Sequence, residues 1–371
     1  MKNYRWMEIS PKIKKAYPVV FTEGKVYVGG FGKITEYDDQ YGFVKSIFEM
    51  IDGVNSISEI TEKMLYKHNA LTKGDILEFI NDLNEEGFIE DNALIGSDVL
   101  DDYEMSRYHR NINFFSSFLK LDQNKFSIQK KISDSRIGIL GLGGLGSHIV
   151  YDLAGLGVGK IKAIEFDQVE LSNLNRQILY NFNDVGKDKA ELAKKRINEF
   201  NPKVDFEYKK IMVSSSQDIE DFFHDVDLLI LVADRPKTKL ANWVNEAICK
   251  LGIPLFCAGL EAQRAMHYTV IPGQTGCIAC WRKQVEMDSP VSDLILKKKT
   301  ELNLVGDNTA IVPLVSTITG FICVEIVKYL TGIGQMQSVG KLISIDFNTM
   351  KVVEAETWSK QNGCEVCGKN G

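Results

Sequence analysis

The chain has 371 residues, 44% of them hydrophobic and 25% charged, enough apolar material for one large domain and a smaller one. A formal net charge of −6 argues against nucleic acid as a partner, because a polyanion needs a basic surface. The opening MKNYRWMEISPKIKK has no apolar core of the signal-peptide kind, and seven cysteines, an odd number, favour metal binding and reduced thiols over disulfides, so a cytoplasmic location is expected.

Residues 1–95 read as a separate module. Short strands are expected at 24–28 and 34–37, joined by Gly29-Gly30-Phe31-Gly32, and then a helix over 41–51 that ends at Asp52-Gly53. Ser56-Ile57-Ser58-Glu59 is a capping box that opens a second helix to about Tyr66. Thr72 caps a third, in which Ile76, Phe79, Ile80 and Leu83 share one face, and it ends at Gly87 before a wing strand at 88–89. Such a winged-helix-like α+β unit often binds DNA. Here residues 72–88 carry five acids against one lysine, which phosphates would repel. The order of elements, the Asp-Gly turn and the closing Gly-Phe-Ile-Glu resemble the PqqD-like leader-peptide clamp of ribosomal-peptide maturation enzymes. That resemblance implies a peptide whose leader end adds as a strand beside the ribbon and packs on the third helix. A structural N-terminal cap is the other reading.

A charged connector, 96–104, leads to Arg107-Tyr108-His109-Arg110 and then to the most informative stretch, 136–177. An apolar strand at 137–140 ends in Gly141-Leu142-Gly143-Gly144-Leu145-Gly146, a helix follows, and a second strand at 160–166 closes on Glu165 and Asp167. Gly141 permits a tight turn, Gly143 lets backbone N–H groups approach a phosphate, and Gly146 lets the helix pack on its strand; Gly144 is counted with them in the nucleotide-binding loop. The helix N-terminus adds unpaired donors and a positive dipole end. Glu165 stands where a carboxylate accepts ribose hydroxyls. The loop alone would suit NAD. Downstream, however, Asn173, Arg176, Gln177 and Lys189 supply amides, a guanidinium and an ammonium, the groups that clamp a triphosphate.

Further on, a helix is expected with Ala190, Ala193, Ile197 and Phe200 inward, ended by Pro202. The run 226–232, VDLLILV, reads as a parallel strand buried on both faces, which puts Asp234 at its carboxyl end. Mg²⁺ favours one or two carboxylates plus phosphate oxygens, so Asp234 is the candidate ligand, with a helix N-cap as the alternative. Residues 254–258 are a further central strand; 266–271 and 341–357 read as hairpin material. A charged segment at 281–307 contains Lys297-Lys298-Lys299. The uncharged run 308–324 reads as a buried helix, so no membrane is expected. Cys277-x-x-Cys280 and Cys364-x-x-Cys367 bring two thiolates each to one side of a turn, and four close a tetrahedral Zn²⁺ site of structural type; redox pairs are the alternative. His68, His109, His148, His224 and His267 are scattered and read as bystanders.

Asp167-x-Val169-x-Leu171-Ser172-Asn173-Leu174-x-Arg176-Gln177, followed by Val185-Gly186-x-x-Lys189, closely resembles the signature of the adenylate-forming family of ThiF, MoeB and the ubiquitin-activating enzymes. This implies a Rossmann-like α/β domain over 96–371, with a mostly parallel sheet and an antiparallel C-terminal part. It also implies ATP and Mg²⁺ as cofactors and a segment that crosses over the active site. In the family the second arginine of R-Y-x-R, here Arg110, reaches the triphosphate of the neighbouring subunit, which implies a homodimer. The family's usual C-T-D step is Val232-Ala233-Asp234 here, and the G-C-E-V-C-G ending is similar to that of MoeB. No cysteine lies between 281 and 322, so transfer through an enzyme thioester is not expected. The clamp-like module, with the phrases around Arg176, Lys189 and Asn242-Trp243-Val244-Asn245, is most similar to the MccB-like peptide-modifying enzymes. By that resemblance the chain adenylates a carboxylate of a ribosomally made peptide and releases pyrophosphate. An adenylyltransferase of a ubiquitin-like sulfur carrier and a non-catalytic leader-binding scaffold are the alternatives; the scaffold is disfavoured by the retained Arg176, Lys189 and Asp234.

Overall fold

A computed structural model describes residues 2–30, 32–236, 239–302 and 309–368. Phe31 of the ribbon turn and residues 303–308, the end of the charged segment and the start of the uncharged run, lie outside the described residues, as does the side chain of Lys299. Contacts divide the chain into two compact units, Met1–Lys131 and Ile132–Gly371.

In the N-terminal unit β1 (Pro11–Ile13), β2 (Val19–Thr22), β3 (Lys25–Gly30) and β4 (Lys33–Asp38) precede helices Phe43–Met50, Ile57–Lys67 and Lys73–Glu85, and β5 (Ile89–Asp91) closes the set. The ribbon is three-stranded, in the order β2-β3-β4, which leaves β4 at an edge. Both expected caps form. Ser56 Oγ accepts from Glu59 N–H while Glu59 takes the Ser56 N–H, and Thr72 and Asp75 repeat the exchange. Each cap contributes about 1 kcal/mol. Ile57, Ile60, Met64, Ile76, Ile80 and Leu83 are fully buried, as their helical spacing requires. The expected wing pairs, as β5, antiparallel with β1. Residues beyond 95 group with this unit for a physical reason. Buried Lys14 donates to the Gly87 carbonyl at 2.7 Å and the Leu119 carbonyl at 2.5 Å, and Asn84 Oδ1 accepts from Leu121 N–H at 2.8 Å. Burial pushes the Lys14 ammonium down to about 8.

The C-terminal unit is built on one eight-stranded sheet. Its strands are β6 (Arg136–Leu140), β7 (Lys160–Ile164), β8 (Asp205–Lys209), β9 (Leu228–Leu231), β10 (Leu255–Glu261), β11 (Arg264–Val270), β12 (Lys341–Asp346) and β13 (Val352–Thr357). Their order is β13-β12-β11-β10-β9-β6-β7-β8; β8, β7, β6, β9 and β10 run parallel, and β11 to β13 are antiparallel. This is the Rossmann-like arrangement with an antiparallel end. Leu140 pairs with Ile164 on one side and Leu231 on the other, so β6, β7 and β9 end level with one another. Gly141, Glu165 and the 232–234 segment therefore leave the sheet at a shared edge, where ligands of open α/β sheets bind.

The charged segment forms two helices, Ile278–Asp288 and Pro290–Glu301. Helix Val312–Thr331 is the one helix among the described residues long and apolar enough, by length and composition, to cross a membrane. Leu314, Val315, Ile318, Ile322 and Ile326 are nonetheless buried in this unit, as a core helix requires.

Candidate active site

A cleft opens at the level strand ends. It is lined by Gly141 and Gly143, by Glu165, Phe166 and Asp167 after β7, by Ala233, Asp234 and Arg235 after β9, and by the apolar side chains of Leu140, Ile164, Ile211, Val213 and Leu240. Helix Gly144–Leu156 starts at the glycine turn. Gly141 has a φ of 97°, in the region that favours glycine. A Cβ at Gly146 would lie 2.0 Å from the Gly141 carbonyl oxygen, so the helix can sit this close only with glycine there. Glu165 is buried, and its carboxylate accepts three backbone N–H groups: Leu142 at 2.8 Å, Phe166 at 2.8 Å and Asp167 at 2.9 Å. It thus braces the glycine turn against the end of β7. Asp234 is exposed at the cleft and has no hydrogen bond or ion pair among the described residues. The next helix begins at Leu240 with Lys239 as N-cap, so Asp234 is not a cap.

The segment after Asp167 wraps back over the loop. Arg176 carbon atoms lie 3.5 Å from the Cβ position of Gly144, and Gln177 Nε2 lies 3.7 Å from that of Gly143. Gln177 is buried, with its Oε1 unpaired. Asn173 Oδ1 accepts the Glu170 N–H at 3.1 Å and closes the 170–173 turn. Lys189, buried at the start of helix Lys189–Phe200, has its Nζ 3.5 Å from Asp167 Oδ2. The Tyr180 hydroxyl donates to the Leu142 carbonyl at 2.9 Å. Burial, reinforced by the Glu165 charge, raises the Tyr180 phenol well above its ordinary range and keeps it a donor.

Away from the cleft lining, Cys277, Cys280, Cys364 and Cys367 are buried with their sulfur atoms all within 4.8 Å of one another. The sulfur–sulfur separations are 3.9 Å for 277–280, 3.7 Å for 277–364 and 3.4 Å for 280–367. Sulfurs about 2.3 Å from a central ion stand ~3.8 Å apart at the corners of a tetrahedron, so these residues fit Zn²⁺. Asn245 Nδ2–H donates to Cys277 Sγ at 3.4 Å and Gln361 N–H to Cys280 Sγ at 3.4 Å, which orients both sulfurs. Hydrogen bonds from the Cys249 thiol and Asn245 hold the Cys277 thiol below its ordinary range, against the effect of burial. Cys277 caps helix Ile278–Asp288, and Trp281 on that helix packs against Tyr268 and Trp358 at 5.5 and 5.4 Å.

The model of the ThiF family matches residues 108–366. The chain belongs to the ThiF family. This ThiF-family chain is 30% identical over 273 residues to the sulfur carrier protein adenylyltransferase of Thermus thermophilus, covering 71% of this chain and 91% of that protein. It is 29% identical over 279 residues to the molybdopterin-synthase adenylyltransferase of Escherichia coli, covering 73% and 99%. Its fold is that of E. coli MccB, solved with AMPCPP and MccA: the TM-score is 0.74 at 24% identity, over 96% of this chain and 99% of that one.

Among the ThiF-family residues expected from sequence, Gly141, Gly143, Glu165, Asp167 and Asp234 meet on the cleft itself. Gly144, Gly146, Arg176 and Gln177 adjoin it through the loop, and Lys189 through Asp167. Arg110 belongs to the other compact unit. It is exposed near the start of helix His109–Ser116, with no ion pair among the described residues. Arg107 ends the preceding helix, Asp102–Arg107, and lies over the Tyr103 ring at 5.8 Å; Tyr108 separates that helix from the one that carries Arg110. Asp101 and Glu104 form a capping box, each carboxylate accepting the other residue's backbone N–H. Ile211, Val213 and Arg235 were not anticipated on the cleft. The first two follow β8, whose sequence DFEYK carries charges where a buried strand would not. Arg235 adjoins Asp234, the one signal that could have marked it.

Proposed function

We propose that the chain is an ATP-dependent adenylyltransferase that activates a carboxylate of a ribosomally made peptide, acting as a homodimer in the cytoplasm. The reaction reading is carried by the level ends of β6, β7 and β9, which bring Gly141, Glu165 and Asp234 to one cleft beside a helix N-terminus. A substrate carboxylate oxygen attacks the α-phosphorus of ATP. The bond from that phosphorus to its bridging oxygen breaks, and pyrophosphate leaves with the electron pair. The N–H groups of Gly143 and Gly144, at the helix start, donate to phosphate oxygens, and Arg176 and Lys189 offset their charge. The apolar lining takes the base and keeps water from it. Asp234, a carboxylate without a partner among the described residues, would hold Mg²⁺, which would supply charge neutralisation on the triphosphate. The four cysteines would hold Zn²⁺ as a closed structural site.

The peptide reading is supported by β4, an edge strand among the described residues, whose Tyr37 meets Phe79 of helix Lys73–Glu85 at 5.3 Å, an apolar wall beside that edge. It is supported too by a fold shared along nearly the whole chain with MccB. The homodimer rests on Arg110, exposed on a helix with Phe114 (59% exposed) and followed by Phe118 (54%), groups suited to a partner surface. Peptide-dependent exchange of labelled pyrophosphate into ATP tests the activity. Asp234→Ala should lower exchange by about 10²-fold or more, and undiminished exchange in that variant would sink the assignment. A second reading, a ubiquitin-like sulfur carrier as substrate, is favoured by the 30%-identical relative. Exchange driven by such a carrier's Gly-Gly tail, and not by peptides, would select it.

A further inference from the structure

We infer that His148 is a positioning residue of the ATP clamp, holding Arg176 in register with the phosphate loop through the Nε2–H form of its ring. The inference rests on the proposed role of Arg176. His148 lies one helical turn beyond Gly144, the residue over which the Arg176 side chain lies. It is 7% exposed. Its Nε2 is 3.1 Å from the Arg176 carbonyl oxygen and its Nδ1 is 3.4 Å from Ser316 Oγ. A carbonyl oxygen can only accept, so Nε2 carries the proton, and in the neutral ring Nδ1 accepts from the Ser316 hydroxyl.

The ring therefore links three pieces of chain: the phosphate-loop helix, the turn that presents Arg176, and the start of helix Val312–Thr331, which follows the charged segment. The turn is otherwise held largely to itself. Arg176 N–H donates to the Asn173 carbonyl at 3.1 Å, and Arg176 Nη1 donates to Asn175 Oδ1 at 2.8 Å and the Ser172 carbonyl at 3.3 Å. Tyr180 ties the far end of the segment to Leu142. Without the His148 bond, the Arg176 carbonyl loses its imidazole donor, and a small shift of that peptide is magnified at the guanidinium, at the end of a long side chain.

The two nitrogens can be separated by substitution. Glutamine places an amide N–H near the Nε2 position, whereas asparagine reaches only the Nδ1 position. The probe is the α,β-methylene analogue of ATP with Mg²⁺, titrated calorimetrically into the full chain. His148→Asn should weaken binding roughly tenfold, and His148→Gln should recover most of the affinity, while both lower Tm by similar amounts. In an Arg176→Ala background, His148→Asn should cost less than about twofold more, because the two act through one group. Equal weakening by the asparagine and glutamine variants would overturn the inference, as would a loss that adds in full to Arg176→Ala. If Arg176→Ala itself binds the analogue like the wild type, the clamp reading fails and takes this role with it. If Arg176→Ala binds weakly but His148→Asn binds normally, only the positioning role falls.

Discussion

Replacing Gly146 by alanine would put a Cβ 2.0 Å from the Gly141 carbonyl oxygen and 2.9 Å from its carbonyl carbon. Carbon and oxygen settle at about 3.3 Å or more when not bonded, so the helix start and the glycine turn must separate by roughly 1 Å. Both are backbone, so no side-chain rotation relieves the clash. Overpacking of this kind costs about 3 kcal/mol, and in a domain of this size each kcal/mol lowers Tm by roughly 2–4 °C, which gives a loss of about 6–12 °C. The same separation takes at least two turn N–H groups out of line with the phosphates. At roughly 1.5–3 kcal/mol for each charge-assisted bond, affinity for ATP should fall at least about a hundredfold. Gly144→Ala is the control, because its new Cβ would meet Arg176 carbons at 3.5 Å, an ordinary contact, and Tm should barely move. Thermal unfolding and calorimetric titration with the ATP analogue measure both quantities. A Gly146→Ala chain with wild-type Tm and affinity would refute the close approach on which the site is built.

Metal analysis of protein purified without chelator should find one zinc per chain; Cys364→Ser should lose it and loosen helix Ile278–Asp288 to proteolysis, and zinc-free wild-type protein would rule the site out. Phe79→Ser should raise KM for the peptide far more than it lowers kcat, since β4 and its helix are proposed to supply uniform binding; an unchanged KM would make the module a cap. Arg110→Ala and Asp234→Ala chains should each be nearly inactive, and mixing them should restore part of the activity through heterodimers with one intact site. No recovery despite demonstrated subunit exchange would remove Arg110 from a partner's site. Stability should also depend on pH through His267, which is 2% exposed and whose pKa burial holds below its ordinary 6.5. The fold keeps it neutral, so its contribution is complete above pH 6.5 and is lost as pH falls below that value and the unfolded chain takes up a proton. Tm measured from pH 7.5 to 5.5 should fall less steeply in His267→Gln, and identical slopes would show that another group is responsible.

Local features were legible in the sequence because neighbouring residues determine them. The capping boxes at Ser56 and Thr72, the turn at Gly141 and the buried run of β9 depend on residues within a few positions of one another. The carboxyl-end position of Asp234 followed from β9 alone, and the spacing of the two cysteine pairs was enough to suggest that they meet. Other features depend on residues far apart in the chain, and only the tertiary structure decided them. The wing strand β5 was expected, but its pairing with β1, nearly eighty residues away, was not, because the three-residue β1 carries no pattern of its own. Lys14 looks like an ordinary surface lysine until the carbonyls of Gly87 and Leu119 close over it. Glu165 could be placed at the end of β7 from sequence, but its three backbone donors arise only when the glycine turn folds against that strand. His148 reads as a bystander because its partners, Arg176 and Ser316, lie 28 and 168 residues away. Periodicity and turn chemistry act along the backbone, whereas the partner of a buried polar side chain is set by packing between elements, which one chain read in order does not display.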